Sequence, residues 1–223
     1  MKQYVIACSK DWFLKEDKVP KFSNTDFVYL RNQEELTKEK LDIINPRFIF
    51  FPHWNWKVPP EIFDTYDCVA FHTSPLPFGR GGSPIQNLIV RNYKTSPVCA
   101  LKMNGELDSG PIYDSMEVSL DGSITEIFSR IAQKIQLMIL RIIEQEPYPK
   151  EQIGKPTIFS RRQPSESQLK ESYSLQEIYD HIRMLDSEDY PRAFIKLGDS
   201  EIEFSEAEKK DNEIIATVII KNK

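Results

Sequence analysis

Residues 68–89 read CVAFHTSPLPFGRGGSPIQNLI, and their order decides the kind of fold the chain can make. The run DCVAFH (67–72) is mostly apolar and ends on His72, with the length and composition of a buried strand. Residues 73–85, TSPLPFGRGGSPI, then carry three Gly and three Pro in a loop that holds a shape rather than packing. Ser83 is placed to cap and Pro84 to open a helix, PIQNLIVRNY (84–93), because Pro at the first helical position has no N–H to lose. Strand, shaped loop and helix in this order form one unit of an alternating α/β fold.

The same pattern continues on both sides. Upstream, QYVIAC (3–8), DFVYL (26–30) and RFIFF (47–51) are further short apolar strands. Between them LTKEKLDII (36–44) spaces Leu36, Leu41, Ile43 and Ile44 as a crossover helix, capped by Thr37 and stopped by Asn45-Pro46. Downstream, VCALKMN (98–104) reads as the next strand, and PIYDSMEVSL (111–120) has the alternation of a final, antiparallel edge strand. From Ser123 to Glu146 apolar residues recur every three or four positions before Pro147 and Pro149, which predicts a long helix on the sheet. Residues 1–146 are thus expected to form a Rossmann-like, mainly parallel sheet flanked by helices. Residues 147–173 are polar, Pro-containing and aperiodic, and read as an ordered linker wrapping the main domain. Residues 174–223 hold an amphipathic helix, LQEIYDHIRML, and three strands, AFIKL, EIEFSEA and EIIATVII, which make a small β-rich subdomain whose faces can pair two copies.

Composition narrows the function. The 223 residues are 40% hydrophobic and 11% aromatic, well above a disordered chain, and carry a formal charge of −5 without a run of four Lys or Arg. A nucleic-acid partner is therefore disfavoured. No apolar run approaches the ~20 residues of a membrane span, and the apolar start is too short for a signal peptide, so a cytoplasmic location and no membrane partner are expected. Cys8, Cys68 and Cys99 each lie in an apolar run and read as reduced core thiols. EDKVPK (16–21) reads as solvated surface.

In an open α/β sheet, chemistry gathers in the crevice at the carboxyl ends of the strands. Two loops emerge there, PHWNW (52–56) and residues 73–85. His72 ends its strand at that crevice, and Asp108 lies in NGELDSGPI (104–112), where the two can meet. Histidine moves protons near neutral pH, and a carboxylate can orient it and hold a positive charge on it. FGRGGS lacks the Lys-Ser/Thr of a P-loop, so Arg80 reads first as a loop organiser and second as a substrate contact. Arg161 and Arg162 can grip a diphosphate bidentately. A zinc site from His53, His72 and Asp108 has acceptable ligand types but no metal-ligand spacing, and no metal is expected. His181 reads as structural.

The run from Cys68 to Ile89, followed by LDSGPI (107–112), resembles the folate-dependent formyltransferase family, whose members carry His-x-Ser-x-Leu-Pro and Asp-x-Gly at similar separation. SRRQP (160–164) resembles that family's Arg-Arg-x-Pro linker, and YPRAF (190–194) its C-terminal domain opening. Within the family the chain resembles the short sugar-nucleotide N-formyltransferases, with the type that acts on a UDP-linked 4-amino-4,6-dideoxy-N-acetyl-altrosamine of pseudaminic acid pathways as one candidate. The resemblance implies transfer of a formyl group from N10-formyltetrahydrofolate to an amine, with His72 and Asp108 catalytic. It implies pterin contacts from Trp54, Trp56, Gly105 and Asp108. One position departs from the pattern. The family places Asn two residues before the His as a donor to the developing oxyanion, and this chain has Ala70 there. Loss of such a donor costs about 3 to 4 kcal/mol, and His53, Asn55 and Asn104 are the candidate replacements. Methionyl-tRNA formylation, and folate or nucleotide binding without turnover, are the competing readings.

Overall fold

The computed structural model describes residues 2–10, 13 and 26–222; the 16–21 surface stretch lies outside them. The chain begins with β1 (Gln3–Cys8), β2 (Asp26–Leu30), helix α1 (Lys38–Ile44), β3 (Phe48–His53), helix α2 (Pro60–Phe63) and β4 (Cys68–Thr73). Next come β5 (Phe78–Gly81), helix α3 (Pro84–Ile89), β6 (Thr95–Lys102), β7 (Ile112–Ser119) and helix α4 (Ile124–Gln145). The remainder supplies β8 (Thr157–Phe159), helix α5 (Leu175–Arg183), β9 (Ala193–Leu197), β10 (Ser200–Lys209) and β11 (Ile214–Asn222). Six strands form one sheet in the order β2-β1-β3-β4-β6-β7, and β11-β10-β9 form a separate antiparallel sheet. Among the described residues no helix is long and apolar enough to cross a membrane.

The helix termini follow local chemistry. Thr37 accepts a hydrogen bond from the Lys40 backbone, and Asn45 closes α1 in the left-handed conformation. Ser123 and Glu126 form a reciprocal capping box at the start of α4. That hydrogen bonding to Ser123 holds the Glu126 carboxyl below its usual range. Ser83 departs from expectation. It takes a left-handed φ of 47° and makes no side-chain cap; its Oγ accepts from the Arg162 backbone instead, at 3.2 Å.

β1, β2, β3 and β4 run parallel, whereas β6 is antiparallel to β4 and β7 to β6. The sheet is mixed, not mainly parallel to its end, and α3 ends at Ile89, short of the expected Tyr93. β6 re-enters the sheet near the carboxyl end of β4, with Val98 opposite Thr73, and runs back.

Helices cover both faces. The larger apolar cluster joins Ile6, Phe50 and Val69 of the sheet to Leu88 of α3, Ile127, Ile135 and Met138 of α4, and Ile182 of α5. The smaller one joins Val5, Ala7, Ile49, Phe51 and Cys68 to Leu41 of α1 and Ile62 of α2. Met184, Leu185 and Ala193 belong to the larger cluster, so the C-terminal segment shares the main core. Arg183 fastens it. The guanidinium donates to Asp180 at 2.6 Å and to the carbonyls of Leu120 and Gly122 at 2.6 and 2.7 Å, joining α5 to the turn before α4. On the outer strand, Ile215, Val218, Ile219 and Ile220 remain exposed.

The linker is tied to the main sheet through its backbone. Lys150 exchanges two backbone hydrogen bonds with Ile112 at the start of β7, and β8 pairs in parallel with β5. The glycine-rich loop and the linker thus form one two-stranded patch at the rim of the main sheet.

Candidate active site

Cys68, Ala70 and His72 alternate along β4 and share one face of the strand. Cys68 packs into the smaller core, and His72 lies two steps further on, 7% exposed, where the strand leaves the sheet. Its Nε2 is 2.8 Å from the Gly79 carbonyl oxygen. A carbonyl can only accept, so Nε2 carries the proton and donates. In the neutral ring Nδ1 then keeps its lone pair. This nitrogen lies 3.4 Å from Asp108 Oδ2, longer than an ordinary hydrogen bond.

The partners are fixed from the backbone outward. Gly79 has φ 81°, and a Cβ there would stand 2.5 Å from Cε2 of Phe159, so the carbonyl can be presented only by a residue without a side chain. Asp108 has φ 50°, a left-handed conformation that Asp tolerates better than most residues. Its Oδ2 accepts from the Gly81 N–H at 2.9 Å. Two residues on, a Cβ at Gly110 would meet the Lys102 carbonyl at 1.7 Å. The Asp-x-Gly spacing therefore serves to lay this loop flat on the end of β6 while aiming the carboxylate at His72.

Gln152, in the linker, was given no role by the sequence. Its Nε2 donates to the carbonyls of Asp108 and Gly110 at 2.8 and 2.9 Å, and its Oε1 accepts from Arg80 Nε and Nη2 at 3.1 and 2.8 Å. Arg80 is thereby engaged as an organiser of the loop. No periodicity or motif in residues 147–173 marks Gln152 in advance.

The remaining candidates are spread around this pair. His53 ends β3, and its carbonyl accepts from the Ser9 N–H at 2.9 Å. Burial first, and then the Lys10 charge, push its ring down to about 4, so it is neutral at pH 7. Lys10 itself is ion-paired with Asp189. Trp54 packs edge-on against Phe51 at 5.9 Å and against Trp56 at 5.0 Å. The Trp54 Nε1–H is buried and has no hydrogen-bond partner among the described residues, while Trp56 is 37% exposed. Asn55 and Gly105 are exposed. Asn104 spends its carbonyl inside its own turn, accepting from the Glu106 N–H and Ser109 Oγ at 3.0 and 2.9 Å. Arg162 donates from Nη2 to the Glu166 carbonyl at 2.6 Å, and Arg161 is exposed. The structure thus joins His72, Asp108 and Arg80 through Gly79, Gly81 and Gln152.

Burial pushes the thiols of Cys68 and Cys99 up to about 12 and about 11, so neither supplies a thiolate nucleophile. Among the described residues no group of three His, Cys, Asp or Glu side chains is arranged to hold a metal. An open depression of about 720 Å³ lies at the opposite rim of the sheet, bordered by Lys2, Asp42, Arg47 and Asp67. Its charges are tied up in pairs, Lys2 with Glu146, Lys38 with Asp42, and Arg47 with both Asp67 and Glu146. It presents no convergent unpaired charge.

Comparison with known proteins places these features in context. The methionyl-tRNA formyltransferase C-terminal domain family matches residues 164–221. A solved structure described as methionyl-tRNA formyltransferase from Clostridium thermocellum is 43% identical, covers 100% of both chains and superposes with a TM-score of 0.93. Methionyl-tRNA formyltransferase of Campylobacter lari is 32% identical over 151 residues, 66% of this chain and 50% of that relative. The chain thus spans about half the length of this curated relative. A sugar N-formyltransferase from a Shewanella species, 16% identical with a TM-score of 0.71 over 95% of this chain and 100% of its own, shares the fold.

Proposed function

Because the chain belongs to the methionyl-tRNA formyltransferase-like family of formyltransferases, we propose that it moves a formyl group from N10-formyltetrahydrofolate to the primary amine of a nucleotide-linked amino sugar. The observation that carries the chemistry is the pinned imidazole: with Nε2–H donated to Gly79, the one basic nitrogen left on His72 is the Nδ1 that faces Asp108.

An amine that takes up a formyl group must lose a proton. His72 Nδ1 accepts it, and the new Nδ1–H turns to Asp108 Oδ2, whose negative charge stabilises the imidazolium. Gly81 holds the carboxylate in place meanwhile. The donor, when bound, supplies an activated one-carbon unit, and its N10, released as the formyl C–N10 bond breaks and the new C–N bond forms, would take the proton held on His72 Nδ1. The residues suited to hold its flat ring are Trp54 and Trp56, where a buried indole N–H with no partner among the described residues offers a directed hydrogen bond beside an aromatic wall. Ala70 offers no donor for the developing oxygen charge, and His53, neutral at pH 7, is our candidate to supply an N–H there.

The charge of −5 supports a small nucleotide-sugar acceptor over an RNA backbone, and Arg161, exposed at the end of β8, is available to a diphosphate. The pseudaminic acid type of amino sugar remains one candidate among these. Reduced, buried thiols fit a cytoplasmic location. Methionyl-tRNA is the second acceptor to consider, favoured by the names of the similar proteins. Incubation with N10-formyltetrahydrofolate and a panel of UDP- and dTDP-linked amino sugars, with methionyl-tRNA alongside, separates the two. A mass gain of one formyl group on a sugar nucleotide is expected; formylation of the tRNA alone would reverse the choice of acceptor.

A further inference from the structure

We infer that Gln152 is a positioning residue for the His72–Asp108 pair, holding the Asp108 backbone in place from the linker. All four hydrogen-bonding places of its amide are filled, two donors on the Asp108 and Gly110 carbonyls and two acceptor contacts from Arg80. The orientation is unambiguous, since turning the amide over would set its NH2 against a guanidinium and its oxygen against two carbonyls. Lys150, two residues earlier, is locked to Ile112 by paired backbone hydrogen bonds. The clamp therefore stands on the main sheet.

The contacts close a ring. His72 is held to Gly79, Arg80 to Gln152, Gly81 to Asp108, and Gln152 to the Asp108 backbone. Asp108 takes a positive φ, whose intrinsic cost the surrounding contacts must offset. The two linker-derived hydrogen bonds fall on its own carbonyl and on that of Gly110. Without them the loop loses its tie to Arg80, and the Gly81 N–H is the contact that the carboxylate itself retains. A displacement of about 1 Å at a reacting group can cost about 100-fold in rate. This assignment rests on the proposed roles of His72 and Asp108.

The test reads the ring directly as well as the rate. Gln152→Met keeps the volume and removes every hydrogen bond. Gln152→Glu keeps the acceptors for Arg80 but turns an oxygen toward two carbonyls. The nitrogen-15 chemical shift of His72 Nδ1 is measured at fixed pH in the wild type, in both variants and in Asp108→Asn. Both Gln152 variants should move that shift in the same direction as Asp108→Asn. The kcat should fall about 10- to 100-fold with KM for the folate donor little changed, and adding Gln152→Met to Asp108→Asn should cost little more. A His72 signal in the folded Gln152 variants identical to the wild type would overturn the assignment. If Gln152→Met fails to fold, Gln152→Glu carries the same reading. Absence of formyl transfer by the wild type would count against the proposed function and leave the spectroscopic result standing on its own.

Discussion

At the scale of single residues, the imidazole of His72 is given one proton position by a neighbour that cannot donate, the Gly79 carbonyl, and that leaves Nδ1 as the working nitrogen. A second histidine behaves differently. His53 is driven to about 4 by burial and by Lys10, whereas an imidazole in the unfolded chain takes up its proton near 6.5. Between those values the unfolded state holds the extra proton, so stability must fall as pH is lowered from about 6.5 to about 4, and level off below. The loss amounts to at most about 3 kcal/mol. Urea unfolding at pH 7 and pH 4.5 should show the decline in the wild type and a smaller one in His53→Gln; an unchanged decline in the variant would assign it to other groups. His53 and His72 look alike as histidines closing adjacent strands, and their partners separate them: His72 is held by the Gly79 carbonyl and faces Asp108, whereas His53 is desolvated beside Lys10.

At the scale of elements, the junction between α5 and the rest of the molecule rests on Arg183. Asp180 and Arg183 are 4% exposed each, and two main-chain carbonyls complete the guanidinium's shell. Removing one partner of such a buried pair leaves a charge unpaired and costs about 3 to 5 kcal/mol. Arg183→Leu should lower the free energy of unfolding by that amount in equilibrium denaturation, and a change under about 1 kcal/mol would mean that the turn before α4 is held by packing alone. The strands of the six-stranded and three-stranded sheets, α1 and α4 were legible in sequence because apolar spacing and terminal residues such as Thr37, Asn45 and Ser123 act locally, whereas β5 lies in the stretch read as a loop. The direction of β6 was not legible, since it depends on where the chain re-enters the sheet, with Val98 opposite Thr73, and not on the local pattern of residues 98–104. Nor was β8, whose three residues become a strand only because β5 lies beside them.

Across the whole molecule, the site is assembled from segments far apart in sequence: a strand end at His72, a tight turn at Asp108 and a linker residue at Gln152. The first two could be found because a histidine at a strand end and an Asp-x-Gly turn have chemistry of their own. Gln152 could not, because its role exists only once the linker has returned across the sheet edge. The shared core has the same origin: Ile182 and Leu185, read as part of a separate end piece, pack with residues of β1, β3 and α4. The central claim is that this assembly moves a formyl group with His72 as proton acceptor. The most direct measurement is the rate at which an isotope-labelled formyl group passes from N10-formyltetrahydrofolate to the acceptor amine, in the wild type and in a folded His72→Asn variant. Transfer by the wild type and a loss of about 100- to 10,000-fold in the variant are predicted; a variant that transfers the label at the wild-type rate would contradict the account.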